Sequence, residues 1–404
     1  MSRQDGEILF VVPKIYGDED QTGVRLVDAS NFMFQKEEQH IDEIKEKFKK
    51  LEIKSYLTPY ITEEQYREKL NEIIENKKSN KKLDCTPEFK FSGEYGHNLM
   101  EEISRYAMLA TYIALQYDFD IIHAHDWLTL PAGMAAKHIS GKPLIAHIHA
   151  TEFDRSGEHI NQDVYNIERR GMEEADKVLT VSNYTGKLVS TRYGINPDKV
   201  KTIYNAVEHH PVNSIPYKKQ VEEKVVTFLG RVTFQKGPDY FVEAANKVLQ
   251  KTNNVRFVMA GSGDMINRMI KRVAELGIAT RFHFTGFLKG DDVKKMYDMS
   301  DVYVMPSVSE PFGITPLEAM LSNVPVIISK QSGVSEILNH AIKVDFWDID
   351  ALADAIYGLL NYDALSTTFK SKGREEVQSL NWDNVGQKIF DAYTELLQQN
   401  VNTN

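Results

Sequence analysis

The sequence predicts an α/β protein made of two Rossmann-like domains that face each other across a cleft. Strand-length β-branched runs alternate with longer amphipathic segments along most of the chain, the pattern of parallel sheets covered by helices. The alternation falls into two blocks, separated at 209–223 by a stretch with two prolines and no periodicity. At 404 residues the chain is also longer than one ordinary core supports.

In the first block, strands are expected at 8–12, 120–123, 144–149, 177–181 and 200–203. In the second they are expected at 225–229, 255–260, 281–284, 302–305, 326–328 and 342–344. Apolar residues at helical spacing predict helices at 239–251, 265–276, 291–298 and 384–399. The domains are accordingly expected at 1–208 and 224–383, joined by the linker 209–223. Between 36 and 82, Lys and Glu nearly balance and interleave with apolar residues at helical spacing. That segment reads as two solvated helices packing one face on the body, since a membrane-surface helix carries a clear Lys/Arg excess.

The net charge of −10 argues against nucleic acid as a partner, because a backbone binder needs a basic face. Cys85 is the only cysteine, so no internal disulfide forms and a reducing compartment fits. The apolar run at 8–13 is of strand length and is followed by Lys14 and an acidic loop, unlike a signal peptide. No stretch approaches the ~20 apolar residues of a membrane span, and a cytoplasmic location is the expectation.

The richest chemistry lies in the second block. Gly230-Arg-Val-Thr-Phe-Gln-Lys236-Gly follows the first strand there, at the edge where open α/β sheets bind ligands. Gly230 permits a close turn, Arg231 and Lys236 put two cations on one loop, and the helix starting near Pro238 adds partial positive charge. This suits a diphosphate; the plainer alternative is a basic loop paired with surface acids. Gly261 and Gly263 follow the next strand and permit close approach to a ligand, although an ordinary tight turn explains them as well.

A further segment, Glu310-Pro-Phe-Gly-Ile-Thr-Pro-Leu-Glu318, follows the strand at 302–305. Glu310 sits in a loop with Ser307, Ser309 and Gly313, where an acid can bind sugar hydroxyls. Backbone N–H groups of Gly313, Ile314 and Thr315 open a helix and can face phosphate. Glu318 has two readings: a capping box in which Thr315 caps, Pro316 is first in the helix and Glu318 reaches back, or a ribose ligand.

In the first block two strands end in His-x-His, at His123/His125 and His147/His149. Such pairs share a strand face and raise the alternative of a metal-dependent hydrolase. No further acids or histidines fall at ligand positions, so the preferred reading buries His123 and His147 and leaves His125 and His149 to face the cleft. The acid pairs Asp118/Asp120 and Asp348/Asp350 are expected in exposed loops or at element ends, not at a metal.

Together these segments resemble the GT-B glycosyltransferases, and within them the large retaining group 1 family that includes glycogen and starch synthases. The resemblance covers most of the chain. It rests on Glu310-x7-Glu318, Gly230-Arg-x4-Lys-Gly237, His123-Ala-His-Asp-Trp127, His149-Ala-Thr-Glu-Phe-Asp154, Val181-Ser-Asn183 and Tyr204-Asn-Ala-Val207 in this order. His123-Ala-His-Asp-Trp127 points to the glycogen synthase branch. The resemblance implies transfer of a hexose, glucose foremost, from ADP-glucose or UDP-glucose to a saccharide acceptor such as glycogen or a maltooligosaccharide. It implies no cofactor and no metal, the two cations neutralising the leaving diphosphate instead. By position, Arg231 and Lys236 would hold the phosphates, Glu310 the sugar hydroxyls and Glu318 the ribose. His149 would lie near the reacting carbon and Asp126 on the acceptor side. The final helix, within 384–404, would pack back on the first domain.

The family also opens with a strand, a glycine-rich loop and a helix, about 30 residues in all. Here the run at 8–12 corresponds to the second strand, and Gly6, Gly17 and Gly23 do not form that loop. Either the start lies upstream of Met1, or the first domain lacks this unit. A missing unit raises one alternative to the transferase, a nucleotide-sugar-binding protein with impaired catalysis; the shared architecture raises another, a nucleotide-sugar epimerase.

Overall fold

The computed structural model describes residues 7–12, 24–28, 99–209, 217, 219 and 221–403. The helices expected at 36–82, Cys85, the glycines at 6, 17 and 23, and residues 210–216 of the expected linker lie outside the described residues. The chain divides into two compact units, Met1–Leu144 and Ile145–Asn404.

In the first unit, β1 (Leu9–Val12) pairs in parallel with β2 (Arg25–Asp28). Strand β2 was not expected from sequence: only two of its four residues, Leu26 and Val27, are apolar, and its pairing with β1 makes it a strand. Helix α1 (Leu99–Gln116) buries Ile103, Tyr106, Leu109 and Ile113 along one face, against Val27 and Ala132. Each such side chain contributes about 1.5–3 kcal/mol. The phenol of Tyr106 donates to the carbonyl of Val11 at 2.9 Å, tying α1 to β1. Strand β3 (Ile122–His125) runs directly into α2 (Asp126–Ser140). A Cβ at Gly133 would lie 2.8 Å from the Cβ of Ala124, so glycine lets α2 lie close on β3. Strand β3 starts two residues later than the sequence predicts, which brings both His123 and His125 into it.

The second unit holds two parallel arrays. In one, β4 (Leu144–Ile148), β5 (Lys177–Thr180) and β6 (Val200–Thr202) pair in that order. Helices α3 (Glu152–Ser156), α4 (Gln162–Glu174) and α5 (Asn183–Arg192) lie between these strands in sequence.

The other array has six strands: β7 (Lys224–Leu229), β8 (Val255–Ala260), β9 (Phe282–Gly286), β10 (Val302–Met305), β11 (Val326–Ser329) and β12 (Ile342–Val344). Helices α6 (Pro238–Leu249), α7 (Ile266–Glu275), α8 (Asp291–Met299) and α9 (Thr315–Leu321) intervene. The spatial order β12-β11-β10-β7-β8-β9 is that of the doubly wound Rossmann sheet. Its order reverses between β7 and β10, the point at whose C-terminal edge open α/β sheets bind ligands.

Val226, Phe228, Phe241, Phe257, Val302 and Val304 form part of the core beneath that edge. Helices α10 (Ile349–Asn361), α11 (Asp363–Val377) and α12 (Trp382–Thr403) complete the chain. Glu395 of α12 pairs with Lys201 of β6 at 2.8 Å. Among the described residues no helix is long and apolar enough to cross a membrane.

Candidate active site

The loop after β7 and the loop after β10 meet at the point where the strand order reverses. Gly237 has φ 65° and opens α6, followed by Pro238 in the first turn. A Cβ at Gly237 would sit 2.1 Å from the carbonyl oxygen of Pro306, so no other residue allows this approach. The N–H of Val308 donates to the carbonyl of Gln235 at 2.9 Å, joining the two loops again. Arg231 is exposed and its guanidinium donates to the side-chain oxygen of Gln235 at 3.2 Å.

Lys236 takes a position its sequence role does not foreshadow. Its ammonium pairs with the carboxylate of Glu310, whose side chain is only 8% exposed. The hydroxyl of Ser307 donates to the same carboxylate oxygen at 3.2 Å. The backbone of Glu310 is fixed as well: its N–H donates to the carbonyl of Gln331 and its carbonyl accepts from the N–H of Gly333. Gly313, at φ 101°, approaches so closely that a Cβ would lie 3.2 Å from Cγ of Glu310. The phosphate candidate and the sugar candidate are thus one ion pair on adjoining loops.

The capping box at Thr315 does not form. Thr315 is already helical, Pro316 is second in the helix, and Ile314 stands at the cap without a side-chain bond. The Thr315 hydroxyl accepts instead from Tyr303 at 2.8 Å, and the Glu318 carboxylate accepts from Tyr297 at 3.0 Å. The aromatic residues of α8 and β10 hold what the sequence assigned to local capping, because they reach the start of α9 from the neighbouring layer.

Gly261 and Gly263 serve the same site indirectly. A Cβ on them would lie 1.8 Å from the carbonyl oxygen of Gly230 and 2.3 Å from that of Val232. The N–H of Val232 donates to the carbonyl of Ser262, and that of Met265 to the carbonyl of Val232. These two glycines therefore carry the loop that presents Arg231.

His149 follows β4, is half-buried, and stacks on His147 with ring centroids 4.3 Å apart. Burial holds its imidazole below the ordinary histidine value, which keeps it neutral. Two residues on, Thr151 caps α3 in a box with Asp154: the Thr151 N–H and hydroxyl both donate to Oδ2 of Asp154 at 2.8 Å. Burial raises the Asp154 carboxyl, the hydrogen bonds from Ser309 and Thr151 oppose that rise, and the charge of Glu310 adds to it.

Behind this turn lies a network the sequence reading did not isolate. Arg155 pairs with both Glu152 and Glu168, and the Tyr193 phenol donates to Glu168. Glu168 is 1% exposed, and burial lifts its carboxyl to about 7 despite Arg155 and Tyr193. The available signal was the acid–base alternation of Glu152, Asp154 and Arg155 just after a strand.

In the first unit, Asp126 is the first residue of α2 and has φ 57°. A non-glycine residue there is uncommon and marks a backbone held in place by its surroundings. His125 is exposed and stacks on His123 at 4.3 Å. His147 is buried as expected, whereas His123, expected to be buried, is partly exposed. Asp118, Asp120, Asp348 and Asp350 are exposed; Asp348 caps α10 and Asp350 pairs with Lys247.

Residues 212–376 match the family described as glycosyl transferases group 1, and residues 92–210 match glycosyltransferase family 4. The chain is 33% identical to a glycosyltransferase of Methanocaldococcus jannaschii over 68% of its own length and 75% of the relative's. It is 23% identical to a glycogen synthase of Mycobacterium tuberculosis over 68% of each. Its fold is that of the Anabaena protein HepE, solved in complex with UDP-glucose: TM-score 0.62 at 21% identity, over 72% of this chain and 82% of that one.

Proposed function

We propose that this chain, which belongs to the group 1 glycosyltransferases, moves a hexose from a nucleoside-diphosphate donor to an α-glucan acceptor. On this reading the sugar is glucose, the anomeric configuration is retained and no metal takes part. The observation that carries it is the Lys236–Glu310 pair with exposed Arg231 beside it, at the reversal point of the six-stranded sheet. A carboxylate there accepts from sugar hydroxyls, while the cations neutralise charge growing on the departing diphosphate. The anomeric C–O bond to the diphosphate breaks, a bond to an acceptor hydroxyl oxygen forms, and the proton of that hydroxyl passes to the departing diphosphate. Glu318 receives the ribose, the N–H groups of Gly313, Ile314 and Thr315 face phosphate, neutral His149 lies against the sugar, and Asp126 serves the acceptor. UDP-glucose is the first donor to try, since the Anabaena neighbour was solved with it; the glycogen synthase relative motivates the acceptor.

A panel of UDP-glucose, ADP-glucose and GDP-mannose with glycogen or maltooligosaccharides tests this. The expected result is an elongated α-linked product, identified by NMR, with unchanged rate in EDTA. A donor consumed to give an isomerised sugar nucleotide would instead make the protein an epimerase. Nucleotide that raises the melting temperature without any transfer would make it a binding protein.

The phosphate role has its own test. Arg231→Ala is expected to weaken UDP or ADP binding by about 10-fold or more, the worth of a charge-assisted hydrogen bond. Titration calorimetry reads it, and unaltered affinity for both nucleotides would remove Arg231 from the site.

A further inference from the structure

We propose that Asp154, acting through Ser309, is a positioning residue that sets the His149 segment against Glu310. The inference rests on the transferase reading and adds residues to it. Asp154 is 2% exposed, and its carboxylate divides its bonds between two loops. Oδ2 accepts from the N–H and hydroxyl of Thr151, two residues beyond His149. Oδ1 accepts from the hydroxyl of Ser309 at 2.6 Å, one residue before Glu310. A single buried carboxylate therefore bridges the segment after β4 and the segment after β10, which belong to different sheets. Such a bridge limits both distance and angle, because a carboxylate accepts along defined lone-pair directions.

The neighbouring groups act in the same sense. The Tyr184 phenol lies 3.1 Å from the Ser309 hydroxyl and, with Ser309 donating to Asp154, is placed to donate to it. The hydroxyls of Ser182 and Thr185 donate to the carbonyl of Pro311 at 2.5 and 3.4 Å. A Cβ at Gly333 would lie 2.1 Å from that carbonyl oxygen and 2.4 Å from Cβ of Ser182, so glycine is what lets these groups close on one another. Glu336 accepts from the N–H groups of Asn183 and Tyr184 and from the Tyr204 phenol. The peptide from Ser309 to Pro311 is thus held by the segments after β4 and β5 and by 331–333. Glu310 has no freedom to adjust alone, and misplacement of a reacting group by about 1 Å costs on the order of 100-fold in rate.

The test is Ser309→Ala beside Ser309→Thr, which retains the hydroxyl. For Ser309→Ala, kcat for transfer is expected to fall about 10-fold or more, with donor KM and UDP affinity within about twofold of wild type. Ser309→Thr should recover most of kcat. Amide exchange measured by mass spectrometry over 149–157 should quicken in Ser309→Ala and not in Ser309→Thr. Retention of kcat in Ser309→Ala, or a fall matched by an equal loss of UDP affinity, overturns the proposal. If the wild type transfers nothing, the transferase reading fails by itself; unaltered exchange over 149–157 in Ser309→Ala overturns the bridge irrespective of that outcome.

Discussion

Glu310→Gln is expected to lower the transfer rate by about 100-fold or more while the protein stays folded. The amide keeps the size of the carboxylate and an oxygen for Ser307, which donates at 3.2 Å in the native protein. It loses the charge that pairs with Lys236 and the second acceptor a sugar hydroxyl would need. Removing one preorganised polar group that acts on the transition state costs about 100- to 1,000-fold in enzymes of known mechanism. The loss should fall on kcat more than on nucleotide affinity, because Arg231 is unaltered. Steady-state transfer assays with UDP calorimetry check this. A variant with wild-type kcat would remove Glu310 from the chemistry and leave its pair with Lys236 as a loop tie.

The second large effect concerns stability. Arg155→Ala is expected to destabilise the fold by about 1–3 kcal/mol, the cost of leaving buried acceptors without their donor, because Glu168, its carboxyl raised to about 7, takes up a proton instead of staying as an unpaired charge. Glu168, 1% exposed, would keep only Tyr193 and the backbone N–H of Glu152. Thermal or urea unfolding measures it, and a change below about 1 kcal/mol would show that solvent reaches Glu168 in the variant.

The same carboxyl predicts a pH dependence. In the fold, burial raises it from the ordinary 4.5 to about 7. Between those values the folded state holds a proton that the unfolded chain has released, so this group's contribution to stability falls as pH rises through the window. Glu168→Gln mimics the protonated form. Wild type should therefore lose stability relative to that variant between pH 4.5 and 7, and a constant difference across the window would contradict the shift.

Much of the fold was legible because strand and helix periodicities are local. All eleven strands expected from sequence lie within about two residues of the observed ones. The sixfold sheet follows from its alternation. Strand β2 was missed since Arg25-Leu-Val-Asp28 carries no period of its own and becomes a strand only beside β1. Gly230 was legible as a turn glycine, and Gly261 as either a tight turn or a close approach to a ligand. The structure supplies another reason at Gly261: the carbonyl of Gly230 occupies the place of a side chain.

For Glu310 and Lys236, then, the amino-acid sequence by itself determined the residue types, their spacing and the loops that bear them. It also determined that those loops leave a parallel sheet at its ligand edge, since the strand–helix order that sets this is written along the chain. What only the tertiary structure decided is which groups pair. Lys236 meets Glu310 across 74 positions, and Asp154 meets Ser309 across 155. Thr315 and Glu318 turn from each other to Tyr303 and Tyr297. Hydrogen bonds and ion pairs form within about 3 Å and depend on angle, so they are settled by how the sheets and their loops pack, which no local pattern in the chain encodes.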